Sequence, residues 1–362
     1  MSSSLHKEIC DFYDFVKPKS FEQTMREELL DRLRSIIKRR FPASDLHCFG
    51  SFAAGLYLPN ADIDVVVISD GYFNHGIRTV CQSQKQMYSF ARHLQDVGMA
   101  DDSIEVIPKA KVPLIKFVDR ITSLRVDVSF ENTTGLIANN TFDHWKRQFP
   151  AMPILVTVIK QFLMMRGLNE VVNGGLGGFS VTCLVTSLLQ NMPRVQIGEM
   201  IPEHHLGEIL MEFLDFYGNQ LDIARTGIIM NPPGYFDKVG QISSVSSVCK
   251  DNLLTRSYNT QRRPNGSMYK SYKPDRLAIM DPNRPDNDIS GGSGNTVLIF
   301  KRFAQAHQEI LDAMSNAKRI SLLDWMLGGK YDSFAWQRTR LEELYRATHG
   351  DSEVNSPLSS MS

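Results

Sequence analysis

The sequence predicts a chain of mixed class, in which an α/β domain is combined with a helical domain. Its 362 residues are enough for two or three domains. Short runs rich in valine and isoleucine, separated by turn residues, lie between positions 44 and 150, a pattern typical of a mixed sheet. Over 1–43 and 151–349, apolar residues instead recur at spacings of three and four, as in amphipathic helices. We assign these last two segments to one helical domain.

In the first part of the chain, two helices are expected before residue 40, and Pro18 separates them. Beyond them, β-branched clusters predict strands and helical spacing predicts helices. We expect strands over 46–49, 63–69, 112–118 and 124–130, and helices over 51–56 and 78–97. In the strand 124–130, Asp127 lies on the face opposite to its apolar neighbours.

The second part of the chain is expected to be helical up to a polar end. Helices are predicted over 152–165, 179–189, 206–216, 297–313, 321–326 and 333–346. A glycine-rich turn over 173–178 joins the first two of these helices, and a loop rich in Pro, Asn and Gly follows residue 281. Residues 350–362 are rich in serine and predict a disordered tail.

The composition limits the classes of function. Forty basic residues balance forty acidic ones, so no overall field attracts nucleic acid, and binding to RNA or DNA would need local patches or a partner. The five cysteines are scattered and form no C-x-x-C pair, which argues against a zinc site or a disulfide framework. No run approaches the roughly 18 apolar residues that a membrane span needs, so we expect no contact with a membrane.

Three carboxylates carry the chemistry that the sequence suggests. Asp62 and Asp64 stand two residues apart at the start of an apolar strand, so their side chains share one face. If the strand of Asp127 pairs in the same sheet, all three carboxylates can converge. Such a cluster suits Mg²⁺, which prefers oxygen ligands, and two such ions position an in-line displacement on a phosphate. For an isolated Asp-x-Asp, capping of a turn is the alternative.

A Gly-Ser pair precedes these carboxylates by a dozen residues. Gly50 lets the backbone approach a phosphate, and Ser51 opens a helix whose N–H groups favour anions. This is not a Walker A loop, because no Gly-Lys-Ser/Thr follows. Taken alone, the pair also fits a simple capped turn.

Together these residues resemble the pattern of the polymerase-β-like nucleotidyltransferase superfamily, in which Gly-Ser, a short helix, Asp-x-Asp and a distant strand Asp follow one another. The segments 49–67, 125–130, 174–180 and 281–290 narrow the resemblance to the noncanonical poly(A) polymerases of the nuclear RNA-surveillance (TRAMP complex) type. It covers residues 5–345. It implies a palm-like nucleotidyltransferase domain over 44–150, a helical central domain, and a cleft between them that binds ATP and the RNA 3′ end.

The resemblance also implies roles for single residues. Asp62, Asp64 and Asp127 match the catalytic triad, which holds Mg²⁺ or, as the alternative, Mn²⁺. Gly50 and Ser51 match the residues that grip the triphosphate.

Further matches fall in the helical domain and beside it. Lys160 matches a lysine that contacts phosphate, although a lysine extended along the surface is the open alternative. Gly178 and Phe179 match the pair beside the incoming base, and Asn139 lies near the position that reads the ribose. The segment 281–296 matches the nucleotide recognition motif.

Within that motif, Asn287 and Asp288 would face the base edge. Relatives that add uridylate tend to carry His at the Asn287 position, and Asn suits the donor and acceptor pair of adenine, so ATP is the expected substrate. A Pro/Asn turn with helix capping is the alternative for this stretch.

The expected activity is template-independent addition of AMP to RNA 3′ ends, for nuclear RNA surveillance and decay by the exosome. The alternatives are a terminal uridylyltransferase and a catalytically weak scaffold subunit of an RNA-processing complex. The resemblance implies a zinc-knuckle RNA-binding protein and an RNA helicase as partners, and a location in the nucleus and nucleolus. The segment 256–276, basic with interleaved tyrosines, suits single-stranded RNA or a solvated loop.

Overall fold

The computed structural model describes residues 2–238, 260–261, 273–315, 321–329 and 331–350. Contacts between residues divide the chain into two compact units. One, here called the sheet unit, comprises Val16–Phe142 and Tyr331–Ser362; the other, the helical unit, comprises Met1–Phe15 and Asp143–Lys330.

The elements follow one another along the described residues with strands in two groups. The helices are α1 (Ser2–Val16), α2 (Ser20–Arg40), α3 (Gly50–Ala53), α4 (Asp70–His75), α5 (Gln84–Asp96), α6 (Thr134–Gln148), α7 (Met152–Met164), α8 (Gly178–Asn191), α9 (Pro193–Gln196), α10 (Leu206–Asp215), α11 (Thr296–Ser315), α12 (Leu322–Leu327) and α13 (Asp332–His349). The strands are β1 (Ser44–Phe49), β2 (Ile63–Ser69), β3 (Glu105–Ile107), β4 (Leu114–Val118), β5 (Arg125–Phe130), β6 (Thr226–Met230), β7 (Pro233–Asp237), β8 (Thr260–Gln261) and β9 (Ile279–Met280).

The sheet unit contains a five-stranded sheet in the order β1-β2-β5-β4-β3. β2 pairs in parallel with β5 and antiparallel with β1, while β4 is antiparallel to both β3 and β5. The β2 sequence is apolar at almost every position because the strand is central and buried on both faces. This architecture confirms the predicted mixed sheet.

The core of the sheet unit also takes in two helices that the sequence analysis assigned elsewhere. The apolar stripe of α2, which includes Leu29 and Leu33, packs in one cluster with Val65 and Val128 of the sheet. Leu341 and its neighbours on α13 complete that cluster. The observed division therefore differs from the expected domains 44–150 and 1–43 with 151–349, because helical periodicity shows which face is buried but not what covers it.

The helical unit differs from the expectation in containing a second sheet, in the order β8-β7-β6-β9. β6 and β7 form an antiparallel hairpin, and β9 adds in parallel to β6. Ile229, Phe236 and Met280 form part of its small core. These strands have two to five residues, too short for a recognisable alternation. The predicted helices 152–165, 179–189 and 206–216 are confirmed as α7, α8 and α10.

Among the helices of the described ranges, none is both long and apolar enough to cross a membrane.

Candidate active site

Two of the three predicted carboxylates lie opposite each other in the five-stranded sheet. Asp64 on β2 is the cross-strand partner of Asp127 on β5, so the expected pairing of these strands is confirmed. Asp62 immediately precedes β2 and, two residues before Asp64, shares its face. The parallel pairing thus brings the three acidic residues to one edge of the sheet.

Basic side chains hold two of these carboxylates. Arg125 Nε donates to Asp62 Oδ1 at 2.5 Å. Lys116, the cross-strand partner of Asp127 on β4, donates its ammonium to Asp127 Oδ2. Burial raises the pKa of Asp127, while the hydrogen bond and charge of Lys116 lower it and the nearby charge of Asp62 raises it again. This edge therefore concentrates negative charge that requires cationic partners.

The side chains as they stand do not form the predicted metal cluster. Over the described part of the chain, no three His, Cys, Asp or Glu residues are grouped so that they could hold a metal ion. The physical reason is that Asp62 and Asp127 turn toward Arg125 and Lys116. The donors nevertheless fit a hard divalent cation by their chemistry, because all are carboxylate oxygens and two already attract a positive group.

Gly50 lies directly beneath the carboxylate of Asp64. Its φ is +72°, and a Cβ built on it would meet Asp64 Oδ2 at 2.4 Å. Any other residue would be strained there and would displace the carboxylate. Gly50 opens α3, and Leu56 N donates to Ser51 O at 2.8 Å to close the turn. The predicted Gly-Ser turn and Asp64 are therefore packed together.

A buried arginine supports the loop that leads into Asp62, and sequence reasoning missed it. Arg26 on α2 is fully buried, donating Nη2 to Pro59 O at 2.9 Å and Nη1 to Ala61 O at 3.2 Å. Its guanidinium lies 4.6 Å from the centre of the Tyr57 ring. A basic residue within the apolar stripe of α2 was the available signal.

Lys116 and Arg125 were also missed as partners of the carboxylates. Arg125 stands two residues before Asp127 on the same strand face, which the alternation alone could have indicated. The position of Lys116 could not be found in this way, because it depends on the register between β4 and β5.

Asn139 lies on α6 and contacts the end of β1. Its Nδ2 donates to Cys48 O at 3.0 Å, two residues before Gly50. Its Oδ1 is buried and has no hydrogen-bond partner among the residues that the structure describes. The contact places Asn139 beside the Gly-Ser turn, and its role toward a ribose stays a prediction.

In the helical unit, the predicted residues Lys160, Gly178 and Phe179 are brought together. A Cβ built on Gly178 would lie 3.1 Å from Lys160 Cε and 3.4 Å from Lys160 Nζ. The end of the lysine side chain therefore lies beside Gly178, the residue before Phe179. Its role toward a phosphate stays a prediction.

The polar loop after β9 is held by its own side chains. Asn287 Nδ2 donates to Asp281 Oδ2 at 2.9 Å. Asp288 Oδ1 accepts from Ile279 N at 3.1 Å, from Ser290 N at 2.9 Å and from the Ser290 hydroxyl at 2.8 Å. Burial raises the pKa of Asp288, and these hydrogen bonds oppose the rise. One carboxylate oxygen thus stabilises the loop, a role that the sequence interpretation did not include.

Two expectations fall largely outside the described residues. Of the basic and aromatic segment 256–276, the structure describes residues 260–261 and 273–276. Of the predicted tail 350–362, it describes residue 350.

Comparison with known protein families finds two matches that together cover much of the chain. A family described as "Poly(A) RNA polymerase, mitochondrial-like, central palm domain" matches residues 5–147. A second, described as "Cid1 family poly A polymerase", matches residues 205–287. The first range contains all three carboxylates and the Gly-Ser turn, and the second ends at Asn287.

Individual proteins resemble the chain over most of its length. Poly(A) RNA polymerase protein 2 of Saccharomyces cerevisiae is 38% identical over 308 residues, which are 84% of this chain and 47% of the yeast protein. The chain therefore spans about half the length of this relative. A Drosophila melanogaster relative, "Inactive non-canonical poly(A) RNA polymerase protein Trf4-2", is 31% identical over 83% of this chain and 67% of its own length.

A solved structure shares the fold and part of the sequence. It is described as the polymerase core of TRAMP, an RNA surveillance complex, and superposes with a TM-score of 0.72 at 32% identity. The match covers 95% of this chain and 94% of that one.

Proposed function

Because the chain belongs to the non-canonical poly(A) RNA polymerase family, we propose that it adds AMP from ATP to RNA 3′ ends without a template and releases pyrophosphate. The observation that carries the proposal is the edge at which Asp64 and Asp127 are cross-strand partners and Gly50 leaves room for the Asp64 carboxylate. A protein that served only as a scaffold would not require a glycine packed against the Asp64 carboxylate.

Asp62, Asp64 and Asp127 would hold the divalent cations, Mg²⁺ or Mn²⁺. When bound, such ions supply charge stabilisation for the in-line attack of the RNA 3′-hydroxyl on the α-phosphate. Asp127 Oδ2, which now accepts from the Lys116 ammonium, is the atom that we assign to receiving the hydroxyl proton. Burial raises the pKa of Asp127, and the hydrogen bond and charge of Lys116 oppose the rise.

In the helical unit, we assign Lys160 and Phe179 to contacts with ATP. Lys160, fixed across Gly178, supplies a cation for the triphosphate, and Phe179 supplies an aromatic face for the base. Ser51 adds a hydroxyl and a backbone N–H at the turn.

Asn287 supports a preference for ATP. Asp281 accepts from Asn287 Nδ2, and this fixes which way the amide points. The carbonyl end then offers an acceptor to the amino group of adenine, whereas uracil presents a carbonyl oxygen at the corresponding position and would be repelled. We therefore propose AMP rather than UMP transfer, with terminal uridylyl transfer as the activity to be excluded.

A catalytically weak scaffold is the second candidate, because one relative of comparable identity is described as inactive. The retained carboxylates with their glycine and basic partners favour an active enzyme. Membership of the family alone does not separate the two.

RNA binding is proposed to depend on partners. The equal numbers of basic and acidic residues give no overall attraction to a polyanion. We propose a zinc-knuckle RNA-binding protein and an RNA helicase as partners, nuclear RNA surveillance and exosome-mediated decay as the process, and the nucleus and nucleolus as the location. The similarity to a structure described as a surveillance-complex polymerase core supports this proposal.

An extension assay tests the function. The chain, alone and with a zinc-knuckle RNA-binding protein, would be incubated with an unstructured RNA, a divalent cation and each of the four nucleoside triphosphates. We expect extension with ATP, at least about tenfold faster than with UTP, and stimulation by the partner. Equal use of UTP would overturn the assignment of Asn287, and no extension under any condition would favour the scaffold.

A further inference from the structure

Two loops of the helical unit are joined by hydrogen bonds. We call residues 171–178 the glycine turn and residues 281–296 the recognition loop. Asn295 N donates to Gly174 O at 2.8 Å, and Asn295 Nδ2 donates to Asn173 O at 2.9 Å. The turn that leads into Gly178 and Phe179 is thereby tied to the loop that carries Asn287.

The side chain of Val171 fills the space between these loops. A Cβ built on Gly177, at the end of the glycine turn, would lie 2.9 Å from Val171 Cγ2. A Cβ built on Gly292, in the recognition loop, would lie 2.5 Å from Val171 Cγ1. Contacts this short do not occur between carbon atoms, so each glycine is matched to one methyl group of the same valine.

Steric exclusion, and not backbone conformation, accounts for both glycines. Gly177 has a φ of −67°, and Gly292 is not among the glycines with positive φ. Alanine could adopt the backbone conformation of Gly177 without strain, and no positive φ opposes it at Gly292. The obstacle to a larger residue at position 292 is therefore the Val171 side chain itself, which is 46% exposed and can be truncated with little loss of core packing.

We infer that Val171 is a positioning residue that sets the distance between the glycine turn and the recognition loop, and through it the affinity for ATP and its preference over UTP. The inference rests on the proposed function, because it assumes that Phe179 and Asn287 contact one nucleotide. Val171 acts through two glycines that lie near these residues in the sequence. Its methyl groups contact Gly177, two residues before Phe179, and Gly292, five residues after Asn287.

The decisive experiment is a cycle of three variants: Gly292→Ala, Val171→Ala and the double variant. Dissociation constants for ATP and UTP are measured on the whole chain without RNA, so that the readout does not need turnover. Gly292→Ala should weaken ATP binding by about tenfold and reduce the preference over UTP, because the added methyl separates the loops. Val171→Ala alone should weaken ATP binding by about threefold, because its methyl groups no longer hold the loops at their distance, and the double variant should return to within about threefold of the wild type.

Two further variants separate this role from general damage. Gly291→Ala adds the same methyl next door, where the nearest atom is Asp288 O at 3.4 Å, and should weaken ATP binding far less than Gly292→Ala. Gly177→Ala should weaken ATP binding and be rescued by Val171→Ala, which keeps the test available if Gly292→Ala fails to fold. The melting temperature of each variant reports folding separately.

The outcomes distinguish the inference from the proposed function. If the wild type binds ATP and Gly292→Ala binds it equally well, or if Val171→Ala rescues neither glycine variant, the positioning role is overturned and the function stands. If the wild type binds no nucleotide, the proposed function is overturned and the inference with it.

Discussion

The acidic residues of the two units are satisfied in different ways. In the sheet unit, Asp62 and Asp127 are held by the side chains of Arg125 and Lys116. In the helical unit, Asp288 is held by backbone N–H groups and a hydroxyl of its own loop. Close to Asp288, the buried ammonium of Lys238 donates to three backbone carbonyls, those of Ile223, Lys273 and Arg276.

This difference separates exchangeable partners from structural ones. A flexible lysine or arginine can leave a carboxylate to another cation while the strand stays in place. A carboxylate that accepts from backbone groups cannot be released without changing the loop. We therefore expect substitutions at the sheet edge to affect chemistry and those in the recognition loop to affect nucleotide binding.

The largest effect is expected for Asp64→Asn. It removes one charge of the proposed cation site and preserves shape, so AMP addition should fall by at least about 10³-fold with an unchanged fold. Asp45→Asn is the matched control, because Asp45 lies at the other end of the β1–β2 pairing and also has basic partners. Initial rates of RNA extension and circular dichroism would be measured. Equal rates of RNA extension for Asp64→Asn and Asp45→Asn would contradict a special role of the sheet-edge carboxylates in the chemistry.

The second-largest effect is expected for Gly50→Ala. AMP addition should fall by about 10²-fold, because the added methyl would displace the Asp64 carboxylate. Gly55→Ala is the control. Gly55 also has a positive φ, of +66°, but a Cβ there would meet no atom of the described residues within 4 Å. The two variants should lose similar stability in thermal melts, while only Gly50→Ala loses activity. A similar loss of activity in both would attribute the effect to backbone strain.

At Asp288, alanine and asparagine should differ. Asp288→Ala leaves two backbone N–H groups without their acceptor and should raise the KM for ATP by about tenfold. Asp288→Asn keeps an acceptor oxygen and should stay within about threefold of the wild type. Steady-state kinetics with ATP would decide, and an asparagine variant as impaired as the alanine one would show that the charge itself is required.

The sheet edge could be predicted from the sequence because the patterns of β2 and β5 are local to each strand. Alternation places Asp62 and Asp64 on one face, and β2 is long and apolar enough to identify as a central strand. Alternation also gives the strand face of Arg125, whereas the position of Lys116 depends on the register between β4 and β5, which no local pattern encodes. The contacts of Asp288 depend on how its own loop folds back toward β9, and those of Val171 depend on how two loops distant in sequence meet. The small second sheet was missed because its strands are too short.

The smallest effect concerns stability and follows from Lys238, whose burial lowers its pKa from 10.5 to about 8. Between these values the unfolded chain binds more protons than the folded one, so the free energy of unfolding rises with pH. Stability linked to Lys238 is therefore fully present above pH 10.5 and is lost as the pH falls through about 8. Relative to Lys238→Met, the melting temperature of the wild type should rise across this window. If the melting temperatures of the wild type and Lys238→Met changed with pH in the same way, the burial of the Lys238 ammonium would be contradicted.

The central claim is that the carboxylates of the sheet edge exchange their side-chain partners for divalent cations. Titration of Mn²⁺ in the presence of ATP and without RNA, followed by electron paramagnetic resonance of the free ion, tests it most directly. The wild type and Asp45→Asn should bind Mn²⁺ at the same stoichiometry, and Asp64→Asn should lose at least one ion or bind it at least about tenfold more weakly. Identical Mn²⁺ binding by Asp64→Asn and the wild type would contradict the account.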